Sequence, residues 1–357
     1  MLTKEQIPAR AGLRLSCDII EFCLERLPHW VPVSIAGYNG AETGLNAWEE
    51  LGAVFANAVA YLDEVLARGR LTADALAHAI GGISLRTSMD LFEDAAKFRV
   101  ARSMWHDLLR DRYGVQDERA LRLRIHGLTS GAAMTYQQPL NNIVRGTVMA
   151  LAAVLGGVQS LGVSAYDEAI SIPSEHAHQL SVRIQQILQN ECNLTAVVDP
   201  LGGSYYLEHL CGELEQRAWE FFREIEARGG FIATLDSGWL HERAHRRQVE
   251  REEALTSGAM RMVGVNCFED GDDLIEPAGF EGTPDAWERA VERLGDLRRD
   301  RDEGQARAAL ARLEAVCRSK DNVMPAMMAA VQAGASIGEV GRVFREVFGI
   351  WDIPITF

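Results

Sequence analysis

Apolar and basic side chains alternate over residues 121–126, and this pattern predicts a strand with two unlike faces. The apolar face carries Leu121, Leu123 and Ile125, and the opposite face carries Arg122, Arg124 and His126. Gly127, Ser130 and Gly131 then break the strand, and Pro139 opens an apolar helix over 139–155. A buried parallel strand is normally apolar on both faces, so the basic face indicates a polar ligand. The alternative is a half-solvated antiparallel strand.

Three further segments predict strands with one apolar face and one small or polar face. They are residues 31–38, 81–85 and 157–163, and their small or polar positions include Ser34, Ala36, Tyr38, Ser160, Gly162 and Ser164. Helical patterns separate the four strands, which is typical of a parallel α/β array. Faces of this composition favour a barrel whose lumen accommodates a ligand.

Helical spacing of apolar residues predicts the remaining elements. The predicted helices are 13–27, 46–68, a short one from Thr72, 88–112, 139–155, 174–190, about 204–227 and an arginine-rich helix through Arg251, followed by a short strand over 262–267. Two helices nearer the C-terminus are predicted to start where Thr283 precedes Pro284 and where Ser336 precedes Glu339 in a capping box. The acidic, glycine-containing segment 269–282 predicts a boundary, so we expect one unit over 1–268 and a helical region over 269–357.

The charge and cysteine content narrow the class of protein. The 357 residues carry a formal charge of -15 that is spread along the chain, which argues against nucleic acid or an anionic membrane as a partner. The six cysteines form no C-x-x-C pair, so neither a disulfide framework nor a zinc site is indicated. No apolar stretch has the length of a membrane helix or of a signal peptide core. We therefore expect a cytoplasmic protein.

Residues His241, Glu242 and His245 fit the H-E-x-x-H pattern of zinc peptidases. The surrounding LHERAHRRQVEREE is highly charged, whereas such zinc sites normally lie on an apolar, partly buried helix. A solvated charged helix is the favoured interpretation, and no metal site is expected. His176 and His178, at a helix start, are also expected at the surface.

The run RIHGLTSGAAMTYQQPLNNIVRGTVMALAAVLGGVQSLGVSAYDEAISIPSE, followed by VVDPLGGSYYLE, resembles the large catalytic subunit of the adenosylcobalamin-dependent acyl-CoA mutases, the methylmalonyl-CoA mutase family. SIAGYN, AKFRVARSMW and VGVN support the resemblance, which covers almost the whole chain. It implies a (β/α)8 TIM barrel in which this chain contributes the last four β/α units, a half-barrel, followed by a mostly helical C-terminal region. The first half-barrel and the cobalamin domain would come from partner chains, because none of the nine histidines stands in a D-x-H-x-x-G setting that could ligate cobalt.

The resemblance also implies roles for individual residues. Tyr38 and Asn39 match catalytic positions next to the substrate, and Arg124, His126 and Ser160 match positions that bind it. Glu42, Gly131 and Glu168 match positions at the cofactor, where a carboxylate can accept hydrogen bonds from ribose hydroxyls. The two glutamates could equally be solvated loop carboxylates, and a structural hydrogen-bond role for Arg124 and His126 is an open alternative.

Several positions depart from the family pattern. Asn39 replaces a histidine, so the side chain can still donate a hydrogen bond to a carbonyl but cannot act as an acid. Leu128 replaces a glutamine, Ala132 replaces a tryptophan, and the CoA-binding strand of the family is replaced by residues 81–84, with Arg86 out of register.

Three functions remain open from the sequence. The leading hypothesis is a subunit of a split adenosylcobalamin-dependent carbon-skeleton mutase that rearranges an acyl-CoA or other acyl thioester by radical chemistry. The second is a binding or structural subunit without catalysis. The third is a homodimer of two half-barrels that acts on a different ligand without cobalamin.

Overall fold

A four-stranded parallel sheet organises the first part of the molecule. The computed structural model describes residues 7–269 and 282–352. The strands are β1 (Ile35–Ala36), β2 (Gly82–Thr87), β3 (Arg124–Thr129) and β4 (Ser160–Gly162), and they lie in the order β1-β2-β3-β4. β3 pairs in parallel with both β2 and β4. The α/β class and the parallel sheet are therefore confirmed, and the antiparallel alternative is wrong.

Helices connect the strands and cover the apolar face of the sheet. They are α1 (Ala9–Arg26), α2 (Tyr38–Glu42), α3 (Ala47–Ala67), α4 (Ala73–Ile80), α5 (Leu91–Asp107), α6 (Asn141–Leu155), α7 (Glu175–Asn190), α8 (Tyr205–Ala227), α9 (Phe231–Asp236) and α10 (Trp239–Thr256). Polar N-caps start several of them, because a side-chain oxygen accepts from a free backbone N–H of the first turn. These caps are Asn46, Thr72, Ser174 and Ser204.

The register of the strands separates two kinds of side chain. Ile35, Ile83 and Ile125 are paired neighbours on one face, and each is about 1% exposed. On the other face the paired row is Ala36, Ser84, His126 and Ser160. The alternation in the sequence thus corresponds to a helix-covered apolar face and a polar face.

Two predicted strands need correction. The segment 31–38 forms a strand only over Ile35–Ala36, and Tyr38 begins α2 instead of ending the strand. The segment 262–267 is a turn with a single bridge between Val263 and Cys267. It closes because the Asn266 side chain accepts from the Met262 N–H at 2.7 Å and donates to the Leu255 and Met260 carbonyls.

The C-terminal helices are α11 (Ala286–Asp300), α12 (Glu303–Arg318), α13 (Val323–Gln332) and α14 (Ile337–Phe348). The capping box of Ser336 and Glu339 is confirmed. The predicted cap at Thr283 is wrong: α11 begins two residues later, after Asp285, whose φ of 56° is left-handed. Most of the predicted boundary, residues 270–281, lies outside the described residues, so the division into two units remains a prediction.

Helices α12, α13 and α14 enclose a small core of their own, which includes Leu313, Cys317, Val323, Val340 and Val343. Helix α1 connects it to the rest of the molecule. Arg14 donates to the Cys317 carbonyl at 2.5 Å, and Asp18 accepts from the Val323 N–H at 3.1 Å. Within the described parts of the chain, no helix has both the length and the apolar character needed to cross a bilayer.

Candidate functional site at the carboxyl end of the sheet

Four of the sequence-predicted site residues meet where the strands end. Tyr38 and Glu42 lie on α2, directly after β1, Gly131 follows β3, and Glu168 follows β4. Parallel strands bring their carboxyl ends to one edge of a sheet, and α/β proteins place ligand sites at that edge. We call Tyr38, Glu42, Gly131 and Glu168 the carboxyl-end cluster.

Glu42 links two connections that are distant in the sequence. Its Oε1 accepts from the Ser130 hydroxyl at 2.5 Å, and its Oε2 accepts from the Ala132 N–H at 3.0 Å. A carboxylate that accepts from both a hydroxyl and a backbone amide is held in one orientation. Glu42 therefore fixes the turn after β3, which is a 3₁₀ turn at Gly131–Ala133.

Tyr38 lies beside this carboxylate. Burial, the neighbouring Glu42 and the more distant Glu168 raise the pKa of Tyr38 to about 12, although a hydrogen bond from the Gly131 N–H lowers it. Tyr38 is therefore a neutral hydrogen-bond donor at physiological pH.

Gly131 separates the two carboxylates of the cluster. A Cβ at this position would lie 3.5 Å from Glu42 Oε2 and 3.8 Å from Glu168 Oε1. Partial burial, Asp167 and Glu42 all raise the pKa of Glu168 above its ordinary value. The cluster thus presents a side-chain-free backbone position between two hydrogen-bond acceptors.

The polar face of the sheet holds a second group. The His126 Nδ1 and the Ser160 Oγ lie 2.7 Å apart, and both residues belong to the row that continues to Ser84. Leu128 lies further along the same face and is packed so closely against Gly162 that a Cβ there would approach Leu128 Cδ2 to 2.6 Å. The apolar side chain of Leu128 therefore lies between the His126–Ser160 pair and the carboxyl-end cluster.

Two predicted residues lie apart from these groups. Arg124 is exposed at the first residue of β3, and its Nη2 donates to the His78 carbonyl at 3.3 Å, at the end of α4. This contact fits the structural alternative for Arg124. Asn39 is exposed on α2 next to Tyr38, and its predicted contact with substrate is untested.

The sequence did not identify the buried ion network behind the cluster. The Lys97 ammonium lies 2.8 Å from both Glu50 Oε2 and Asp94 Oδ1, and the three side chains are at most 1% exposed. Lys97 also donates to the Arg86 carbonyl, and Glu50 accepts from the Arg86 N–H at 2.7 Å. The Arg86 guanidinium binds the Ala41 and Leu45 carbonyls, so the network fixes the position of α2 relative to β2.

Helix α10 contributes another contact that the sequence did not identify. Arg251 Nη2 donates to the Ala132 carbonyl at 3.1 Å. Burial and the nearby Arg86 lower the pKa of Arg251, while Glu42 raises it. Arg251 was predicted only as part of a charged helix, and no local pattern relates it to a turn 119 residues earlier.

The H-E-x-x-H segment lies on the same helix. Glu242 and His245 are exposed, as a charged helix requires, but His241 is 5% exposed and its ring lies 5.6 Å from that of Trp351. Over residues 7–269 and 282–352, no three His, Cys, Asp or Glu side chains come together as a possible metal site. His176 and His178 are exposed, as predicted.

Comparison with known proteins gives the family context of this arrangement. The family model described as methylmalonyl-CoA mutase matches residues 3–350. The 2-hydroxyisobutanoyl-CoA mutase large subunit of Aquincola tertiaricarbonis is 35% identical over 98% of this chain and 62% of its own length. The methylmalonyl-CoA mutases of Cereibacter sphaeroides and Escherichia coli K12 are 35% and 32% identical over 96% and 97% of this chain, and over 48% of their own lengths. The chain thus spans between about half and three fifths of these relatives, and it belongs to the methylmalonyl-CoA mutase family.

Proposed function

We propose that the chain is a subunit of an adenosylcobalamin-dependent acyl-CoA mutase that carries out a 1,2-rearrangement of the carbon skeleton. The carboxyl-end cluster carries this proposal, because it collects Tyr38, two carboxylates and Gly131 at the edge of the sheet where α/β enzymes bind ligands. Membership of the mutase family supports the reaction class.

The cluster fits the adenosyl side of the proposed cofactor. Gly131 leaves open a position that a Cβ would fill, and Glu42 and Glu168 flank it with oxygens that can accept from ribose hydroxyls. When bound, adenosylcobalamin would supply the radical that starts the rearrangement. The residues of this chain would bind and orient it, and a cobalt ligand would come from a partner chain.

The substrate would lie along the polar face of the sheet. Asn39 can donate a hydrogen bond to a thioester carbonyl, and the neutral Tyr38 can donate to a nearby oxygen but holds its proton tightly. The His126–Ser160 pair offers polar contacts further along the sheet, and Leu128 places an apolar side chain between the two groups. These residues would position the substrate.

The assembly would be a barrel shared between chains. Among the described strands, β1 and β4 each pair on one side only, which leaves two sheet edges available. A complementary half-barrel would pair with these edges and close the polar face into a lumen. The name of one relative, a large subunit, agrees with a mutase built from more than one chain.

The test is reconstitution of the chain with the proteins that co-purify with it from its native source. We expect the assembly to retain adenosylcobalamin in equilibrium dialysis and to isomerise an acyl-CoA. Methylmalonyl-CoA and 2-hydroxyisobutanoyl-CoA would be tried first, with products separated by chromatography and identified by NMR. Glu42→Gln and Glu168→Gln should each weaken cofactor retention, whereas Glu191→Gln, at an exposed position, should not. An assembly that binds no cobalamin would refute the proposal.

A second candidate is a binding subunit without catalysis. The hydrogen bond of Arg124 to the His78 carbonyl favours it, because this contact gives the most basic residue of the predicted substrate site a structural role. The self-closing homodimer is the version of this candidate that needs no partner. Size-exclusion chromatography with light scattering separates the two assemblies, since a lone dimer without cobalamin contradicts the mutase.

A further inference from the structure

Helix α10 is anchored firmly at its first half. The Glu49 carboxylate, which is fully buried, accepts from Arg243 Nε at 2.6 Å and from Arg247 Nε at 3.1 Å. The two guanidiniums also lie over the rings of Phe221 and Trp48. Separating a buried carboxylate from its two cationic partners would cost considerable free energy, so this half of α10 is fixed to α3 and α8.

The helix then passes over the connection that follows β1. Gly44 has a φ of 131°, and a Cβ there would lie 2.2 Å from the Ala244 carbonyl oxygen. Only glycine allows this conformation and this close approach. The contact places α10 directly against the chain that leaves α2, which carries Tyr38 and Glu42.

The second half of α10 reaches the connection that follows β3. Arg251 lies two helical turns beyond Ala244 and donates to the Ala132 carbonyl. The chain after α10 then contacts α6 and the residues before it. Arg145 of α6 donates to the Val263 carbonyl at 2.7 Å, and Gln138, which precedes α6, donates to the Phe268 carbonyl at 3.2 Å. Residues 239–268 therefore cross the carboxyl end of the sheet from β1 to β3, and we call this segment the strap.

The backbone of Ala132 is held through both of its polar groups. Its N–H donates to Glu42, on α2, and its carbonyl accepts from Arg251, on the strap. The two partners carry opposite charges, and each matches the polarity of the group that it binds. Gly131, the open position of the carboxyl-end cluster, is the preceding residue.

We propose that Arg251 is a positioning residue, which holds the turn at residues 130–133 against Glu42 and thereby keeps Gly131 open to a hydroxyl-bearing ligand. The identity of the ligand rests on the proposed function, whereas the restraint on the turn does not. The first half of α10 keeps its anchors when Arg251 is replaced, so the variants should fold.

The first test measures the turn itself by hydrogen–deuterium exchange in the isolated chain. Arg251→Gln should accelerate exchange in the peptide covering residues 130–134 about tenfold, the effect of losing one hydrogen bond to a charged group. Arg251→Lys keeps the charge and should recover part of the protection. Arg246→Gln, an equal loss of charge at an exposed position of the same helix, should leave the peptide unchanged. An unchanged peptide in Arg251→Gln, or equal acceleration along all of α10, would overturn the proposal.

The second test measures cofactor binding in the reconstituted assembly. Arg251→Gln should raise the KM for adenosylcobalamin about tenfold while kcat stays within about twofold, because the residue acts on the site through the turn. Unchanged KM in spite of faster exchange would overturn the positioning role. If the wild-type assembly binds no adenosylcobalamin, the proposed function fails, and the exchange experiment still decides whether Arg251 holds the turn.

Discussion

Replacing Lys97 with methionine tests how the site is supported from within the core. Methionine fills a similar volume but removes the cation between two buried carboxylates, Glu50 and Asp94. It also removes the donor to the Arg86 carbonyl. Leaving a buried charge uncompensated costs about 3–5 kcal/mol. Each carboxylate keeps another donor, from Arg86 or from Ser88, so we expect the lower end of that range.

The loss of stability should be almost independent of pH across the neutral range. Burial lowers the pKa of Lys97, but Asp94 and Glu50 outweigh it, so the folded-state pKa lies above the ordinary 10.5. A raised pKa means that the stabilisation is fully present below pH 10.5 and is lost as the pH rises through the folded-state value. On the alkaline side, the difference between wild type and Lys97→Met should therefore shrink only above pH 10.5.

Urea denaturation followed by circular dichroism gives the free energies of unfolding. Lys320→Met, at an exposed position, is the matched control and should change stability by less than about 0.5 kcal/mol. Adding Glu50→Gln to Lys97→Met should cost less than the sum of the single changes, because the second substitution removes an unpaired charge. A loss below about 1 kcal/mol for Lys97→Met would refute the account of the network.

Three further predictions concern single positions. Gly44→Ala should destabilise the chain by more than about 3 kcal/mol and loosen α10, because the added Cβ would collide with the Ala244 carbonyl. Urea denaturation measures the stability and proteolysis within 239–268 measures the loosening, and near-wild-type values of both would contradict the close packing. Gly131→Ala should keep wild-type stability, since its Cβ meets only ordinary contacts, but should weaken adenosylcobalamin retention in dialysis; equal retention would remove Gly131 from the site. Arg301 lowers the pKa of Glu339, so the stability that this ion pair contributes is present above pH 4.5 and is lost as the pH falls further. Glu339→Gln should flatten this part of the acid unfolding curve, and an unchanged curve would contradict the assignment.

Local patterns were sufficient to predict most of the elements. Period-2 alternation predicted β3, and the helices predicted from Thr72 and Ser174 begin there, where both side chains act as N-caps. The wrong strand predictions arose where the outcome depended on strand pairing or on a side-chain hydrogen bond, neither of which a local apolar pattern contains. Residues 31–34 have strand composition, but β1 pairs with β2 only at Ile35 and Ala36, so no ladder extends the strand. The turn at Met262 is closed by the Asn266 side chain, and a pattern of apolar residues does not predict such a hydrogen bond.

The candidate site could be predicted only in part. Tyr38, Glu42, Gly131 and Glu168 came from the resemblance, and the structure brings them together. The residues that hold them, Lys97 and Arg251, act across separations of 47 and 119 residues. A charged residue in a helical pattern is ordinarily assigned to the solvent-exposed face, and nothing local distinguishes one that meets a distant carboxylate or carbonyl.

The two polar groups on the sheet together restrict the shape of the ligand. His126 and Ser130 lie on one continuous strand and its end, four residues apart, which corresponds to ~13 Å at the rise of a β-strand. Leu128 occupies the face between them, so a ligand that contacts both groups must be elongated and apolar or weakly polar in its middle. A small free acid can engage only one group. An acyl thioester with a long arm can engage both, so this spacing is compatible with the acyl-CoA substrate that we propose.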